Sequence, residues 1–447
     1  MSGAGGRPGL RLPWHRATTA HVASVYPWSV QASFGHEGVL VGVDLLSGGG
    51  EFCWDPFTAY ASGLVSNPNV WAMGEPGFGK SALIKTLLWR QAAVFGSRRR
   101  WLAICDPKGE YGLLAEWLGL TVVRLTPGGT TRINPLAPGP AAAHEPAERQ
   151  VLRRAEMVTA LVATVLDRPL SQVEDAVLFA TIDHLTNTQG AAGERTLVDV
   201  ARLVTTPTAE VTARLPITDA ALDTAAVGWA LDKLLSRSLR GMFDGPSTVP
   251  LARVWDGPGL VLDLSAVSVD SVALPLLMVA AAGWLQQIMA CPGPQRLQVL
   301  DEAWALLANR HTASYLQSCF KLGRSYGVSN LCITHRTSDL AAQADDGSAT
   351  AKIAHGLLAD AATRIILRQA PDQLGPAATA FGLTEPEQHI IGRLARGRAL
   401  WKLGGSRTAV VAHHLAPSEL SLVDTDARIR GLPVQPDAPD GVAGGAV

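Results

Sequence analysis

The 447-residue chain has almost no net charge: 38 Lys and Arg face 39 Asp and Glu, leaving −1 with histidine neutral. No global basic field draws it onto nucleic acid, so any DNA contact has to be local or contributed by an assembled ring. Cysteine is scarce. Cys53, Cys105, Cys291, Cys319 and Cys332 form no CxxC pair and have no His cluster beside them. That spacing argues against a zinc site and reads as buried, reduced thiols in a cytosolic protein. No apolar run is long enough for a bilayer. The most apolar stretch, VALPLLMVAAAGWL over Val272–Leu285, contains a proline and meets Gln286 and Gln287 at once. It reads as a buried helix of a large α/β core. Nor does an apolar segment follow the basic residues of MSGAGGRPGLRLPWHR, which argues against a secretory signal.

The length suits two or three domains. Residues 1–27 and 425–447 are expected to be mobile tails, the latter end reading LPVQPDAPDGVAGGAV. Residues 28–68 are expected to hold a small β element, because HEGVLVGVDLLSGGGEFCWDP is two apolar runs joined by SGGG. From Asn69 the text alternates strand and helix: NVWAM, WLAIC, GLTVVRL, GLVLDLS, RLQVLDE, VSNLCITH, ATRIILRQ, RALWKLG and TAVVAHH read as strands with helices between several of them. Such alternation predicts an α/β fold with a mostly parallel, helix-covered sheet, in two pieces at 69–139 and 246–424. Between 140 and 245 the strand signal stops and amphipathic helices take over, which predicts an all-helical insertion.

The chemistry starts at Gly74-Glu75-Pro76-Gly77-Phe78-Gly79-Lys80-Ser81, followed by Ala82. It matches G-x-x-x-x-G-K-[ST] between a strand and a helix, the context a P-loop requires. Glycines let successive N–H groups curl inward onto phosphate, and the helix N-terminus adds its positive end. Lys80 is expected to reach the β- and γ-phosphates of ATP, and Ser81 to hold Mg²⁺. A second carboxylate comes from RLQVLDEAWALL, an apolar strand ending in Asp301 and Glu302. Asp301 would orient the metal's water shell and Glu302 would act as general base. Asp106 in DPKGEY and Thr334–His335 in CITHRTSDL end further strands at the same expected edge, where each either senses phosphate or only turns the chain. An arginine acting on a neighbouring subunit's phosphate is sought among Arg324, Arg364 and Arg368, with the latter two slightly favoured. Arg98–Arg100 either touch nucleic acid or complement a helix dipole, and the second reading is favoured.

GEPGFGKS, DPKGEY, RINPL, MFDGPS, VLDLS, VLDEAWALL and ITHRTSDL occur in this order. Together they resemble the conjugative type IV secretion ATPases of the VirB-four, TraC and TrbE type, within the FtsK–HerA superfamily. The resemblance runs from about Gly38 to Asp424, and DPKGEY and LDEAW are its most specific parts. It implies a RecA-like P-loop core with a helical insertion, assembly into homo-hexamers, and ATP hydrolysis that drives transfer between cells. It places Asp106 and Glu110 near the nucleotide, Asn134 in the motif after the next strand, and Arg364 and Arg368 in the region used at subunit interfaces. It implies channel and coupling proteins as partners, DNA as a possible one, and a cytoplasmic location peripheral to the membrane. The sequence departs from the family in having His335 where relatives tend to carry glutamine. Relatives also carry a large N-terminal domain, whereas 68 residues precede Asn69 here, so docking on a channel would use a partner chain or this is a core-only member. Two other functions fit the same residues: a translocase pumping duplex DNA directly, and a nucleotide-binding scaffold with little turnover.

Overall fold

The computed structural model describes residues 37–138, 145–188, 194–213, 224–249, 251–268, 273–289, 293–307, 309–335, 349–405 and 407–423. The expected terminal tails, Cys291 and the residues after His335 in CITHRTSDL lie outside them. One eleven-stranded sheet organises the chain. Its strands are β1 (Val39–Asp44), β2 (Gly50–Trp54), β3 (Val70–Met73), β4 (Arg100–Asp106), β5 (Thr121–Arg124) and β6 (Gly259–Asp263). They continue with β7 (Gln295–Leu300), β8 (Val328–Thr334), β9 (Thr363–Ile366), β10 (Arg398–Leu403) and β11 (Arg407–His413). The order across the sheet is β2-β1-β11-β10-β9-β3-β8-β7-β4-β6-β5. The seven strands from β9 to β5 are parallel, and the four from β10 to β2 are antiparallel. The hairpin written around SGGG is therefore no free-standing unit, because Gly42, Val43 and Asp44 pair with β11.

The central strands are buried on both faces, which is why they read as continuous apolar runs. Alternation still sorts their side chains. Trp71, Met73, Trp101, Ala103 and Cys105 join one core, and Val70, Ala72, Leu102 and Ile104 join the other. The second core is covered by the helices we number α1 (Lys80–Phe95) and α2 (Gly112–Leu118). The first is covered by α3 (Ala147–Leu166), α4 (Gln172–Asn187), α5 (Leu197–Thr205), α6 (Ala225–Lys233), α7 (Ala273–Met289) and α8 (Arg310–Gly323). Among the described residues between 140 and 245 there is no strand. Helix α7 carries the apolar stretch noted above, and its Leu277, Ala280, Ala281, Trp284 and Leu285 are buried in the core. Among the described residues no helix is long and apolar enough to cross a membrane.

Parallel strands bring their C-terminal ends to one edge. The register aligns Met73 with Thr334 and Ile366, Leu300 with Cys105 and Cys332, and Asp106 with Asp263. That edge is where open α/β sheets hold ligands.

Candidate functional site

The loop after β3 is shaped by glycine and held from the far end of the chain. Gly77 and Gly79 have φ of 82° and 99°, left-handed values that suit glycine alone at low cost. Gly74 is tight for a different reason: a Cβ there would stand 2.5 Å from the Leu367 Cβ. The Glu75 N–H donates to the Arg368 carbonyl at 3.1 Å, and the Gly397 N–H donates to the Phe78 carbonyl at 3.1 Å. The Arg368 guanidinium lies over the Phe78 ring, 5.1 Å from its centroid.

Helix α1 then begins with Gly79 as its N-cap and no side-chain cap. Its first intrahelical bond runs from the Leu83 N–H to the Gly79 carbonyl at 3.0 Å, so the N–H groups before it have no partner within the helix. An anion is what such an end accepts. Nothing lies within 4 Å of a Cβ placed on Gly77, so the loop's mouth has room. Lys80 is nearly buried and folds back on its own loop, donating to the carbonyls of Gly74 and of Glu75, the latter at 3.1 Å. Burial, reinforced by repulsion from Lys108, pulls its pKa down to about 8. Ser81, one residue on, is half-buried. The residues present thus fit a nucleoside triphosphate and its Mg²⁺.

Asp301 and Glu302 both stand two strands away, directly beyond β7. Asp301 is buried, and burial together with the neighbouring Glu302 charge pushes its pKa up to about 7. Its Oδ1 accepts the Glu302 N–H at 2.9 Å. Glu302 has a φ of 52°, costly for a residue with a side chain and common at functional turns. Its carboxylate is gripped from three sides. His335 Nε2 donates to Oε1 at 2.7 Å, Lys108 forms an ion pair with the same oxygen, and the Trp304 indole donates to Oε2. Burial alone would raise its pKa, but the bonds and charges of His335 and Lys108 outweigh it and hold the group down at about 2. Glu302 thus carries a carboxylate fixed by His335, Lys108 and Trp304 at the strand-end edge that also holds the loop of Lys80.

Lys108 is the residue that sequence reading passed over, although it lies inside DPKGEY. Asp106 explains its placement. Asp106 is 1% exposed, and both of its oxygens are committed to the loop that follows. Oδ1 accepts the N–H groups of Lys108, Gly109 and Glu110 at 3.2, 2.8 and 3.1 Å, and Oδ2 that of Tyr111 at 2.9 Å. Asp106 therefore shapes a turn, and the turn delivers Lys108 to Glu302. Glu110 faces Lys85 of α1, Oε2 to Nζ 3.9 Å, with the lysine buried. Asn134 is buried away from this cluster. Its Nδ2 donates to the Arg195 carbonyl at 2.7 Å and its Oδ1 accepts the Leu136 N–H at 3.0 Å, which makes it a brace for its own loop. Thr334 is buried and accepts the Trp71 indole N–H at 3.1 Å.

The arginines separate. Arg364 is half-buried on β9 and donates to the Phe381 carbonyl at 2.9 Å, which ties it to a neighbouring helix. Arg368 sits on the P-loop of its own chain. Arg324 is exposed on a short turn before β8. Arg98 and Arg99 are exposed, whereas Arg100 is 3% exposed and bonded inside the protein.

No family model matches the chain, and no curated protein matches it in sequence. Solved structures do match in fold. VirB4 of Thermoanaerobacter pseudethanolicus superposes with a TM-score of 0.65 at 19% identity, covering 87% of this chain and all of that one. The bacterial conjugative coupling protein TrwB in an unbound form gives 0.54 at 16%, covering 86% and 91%. TrwB in complex with ADP and Mg²⁺ gives 0.55 at 16%, covering 86% and 90%. At these identities the likeness establishes the shared α/β fold.

Proposed function

We propose that this chain is an ATP-hydrolysing motor of the conjugative or type IV secretion kind. The observation that carries the reading is the Glu302 carboxylate fixed by Lys108, His335 and Trp304 on the strand-end edge that also presents Lys80 and Ser81. The fold shared with VirB4 and with a TrwB that binds ADP and Mg²⁺ supports it.

In this reading the N–H groups of residues 77–82 and the Lys80 ammonium bind the triphosphate. Ser81 and Asp301 hold Mg²⁺, which when bound would neutralise charge on the phosphates. Glu302 accepts a proton from the attacking water at its carboxylate. His335 and Lys108 keep that carboxylate ionised and pointed. An arginine acting on a neighbouring subunit has to be exposed and unbound, and of the three candidates Arg324 meets that condition best. Homo-hexamer assembly, Mg²⁺ dependence, and attachment to a membrane channel through partner chains belong to the same proposal.

The test is ATP turnover by the Glu302→Gln variant beside the wild type. Removing a positioned base should lower turnover by about 10²–10⁴-fold while nucleotide binding persists. Wild-type turnover no higher than that of the variant would remove the motor reading and leave a nucleotide-binding scaffold.

A further inference from the structure

RINPL and MFDGPS take no part in the nucleotide site, yet the fold brings them together at the far edge of the sheet. The loop after β5 lies against residues 239–248. Gly128 N–H donates to the Arg240 carbonyl at 2.9 Å, Ile133 N–H to that of Met242 at 2.9 Å, and Thr248 N–H to that of Arg132 at 3.0 Å. Gly128 and Gly241 both have positive φ, 70° and 78°, and a Cβ on Gly241 would stand 2.8 Å from the Gly128 Cα. The two backbones touch, and no side chain fits between them.

A cavity of about 470 Å³ opens at this junction, and its charged lining is Arg132, Arg237, Arg240 and Asp244. Asp244 is shared: its Oδ1 accepts Arg132 Nε at 2.9 Å and its Oδ2 accepts the Gly241 N–H at 2.9 Å. Arg237 and Arg240 are exposed and have no ion pair among the described residues. Three arginines against one aspartate leave two positive charges facing one cleft. Arg237 arrives on a π-helical turn, Leu234–Ser238, closed by the Leu239 N–H to the Leu234 carbonyl at 2.7 Å. Such turns are rare and concentrate at functional sites. β5 stands five strand steps from β3, about 24 Å at ~4.8 Å per step, so this cleft is separate from the P-loop.

We infer that the cleft is a second anion site, which takes a phosphate-bearing ligand on the Arg237 and Arg240 guanidinium groups. Arginine forks match phosphate oxygens two at a time, and the excess of two charges matches a pyrophosphate edge or adjacent phosphodiesters. Since the chain as a whole carries −1, this patch is the kind of local basic surface through which it would hold such a ligand.

The full chain carrying Lys80→Ala, to silence the P-loop, is titrated with a fluorescent single-stranded oligonucleotide and, separately, with pyrophosphate. The same titrations are run with R237A/R240A and with R237K/R240K added. R237A/R240A should weaken binding by tenfold or more, with R237K/R240K between it and the parent. With the oligonucleotide, the slope of log K against log salt should also shrink by about 1.4, near 0.7 for each lost contact. Loss for the oligonucleotide alone identifies a nucleic-acid backbone as the source. Loss for pyrophosphate identifies a free or nucleotide phosphate. Equal affinities for both probes in parent and R237A/R240A, or no binding of either by the parent, overturns the inference. No turnover is read, so the result stands apart from the role given to Glu302.

Discussion

Replacing Arg100 by methionine should destabilise the protein severely, although the residue belongs to a surface-like run of three arginines. Its Nη2 donates to Asp55 Oδ1 at 2.7 Å, and its Nε donates to Gln91 Oε1 at 3.1 Å. The guanidinium lies between the Phe57 and Phe95 rings, 4.5 and 4.1 Å from their centroids. The Arg100 side chain is 3% exposed and that of Asp55 0%. Asp55 also caps the helix that follows β2, its Oδ2 accepting the Thr58 N–H at 2.8 Å. Methionine fills much of the volume and strands the Asp55 charge. Removing one partner of a buried pair costs about 3–5 kcal/mol, a large part of the ~5–15 kcal/mol that holds a typical protein folded. A fall in melting temperature on the order of 10 °C is expected by scanning calorimetry or circular dichroism. The double variant Arg100→Met/Asp55→Asn should recover much of it, because asparagine caps a helix as well and carries no charge. Arg98→Ala and Arg99→Ala should melt like wild type. If Arg100→Met alone melts with wild type, the reasoning from stranded charge is wrong.

Lys108→Met should lower ATP turnover by about tenfold or more, since it loosens the base without removing it, while a fluorescent nucleotide analogue still binds. Gly74→Ala should cost about 1–3 kcal/mol, because its Cβ would meet Leu367 at 2.5 Å, and should weaken binding of the same analogue by displacing the loop. His413 gives a pH signature. Burial, with Arg90 adding repulsion, lowers its pKa from 6.5 to about 4, while Glu419 pulls the other way. Its Nε2 lies 2.8 Å from the Thr86 hydroxyl. The unfolded chain therefore takes up a proton first, and stability should be full above pH 6.5 and decline toward pH 4. In His413→Gln, denaturant midpoints across that range should decline less.

The strands from Asn69 onward were legible because most of their buried runs are dominated by apolar residues, as in VWAM, WLAIC and GLVL. Their order was not, since nothing local in RALWKLG or TAVVAHH says that β10 and β11 lie between the P-loop strand's neighbour and the N-terminal hairpin. The cradle could be read from GEPGFGKS because glycine positions encode backbone shape directly. Lys108 was missed because its partner comes from another strand end. The signal for Asp106 was present: an Asp two residues before a backbone N–H it can accept, in D-P-K-G, is an Asx-turn. Arg100 is set apart from Arg98 and Arg99 only by the fold, because Asp55 reaches it only after β4 has joined the sheet.

The P-loop is finished by residues written long after it. Met73 accepts the Leu367 N–H, Glu75 donates to Arg368, and Phe78 accepts from Gly397. A ribosome that has released only the first three hundred residues has made every group of the P-loop and none of its clamp. Closing those long loops costs entropy that must be met by β9 and β10 docking, so the loop's final support depends on contacts far along the chain. A nascent or truncated chain lacking those residues would carry the loop without the backbone bonds that hold it.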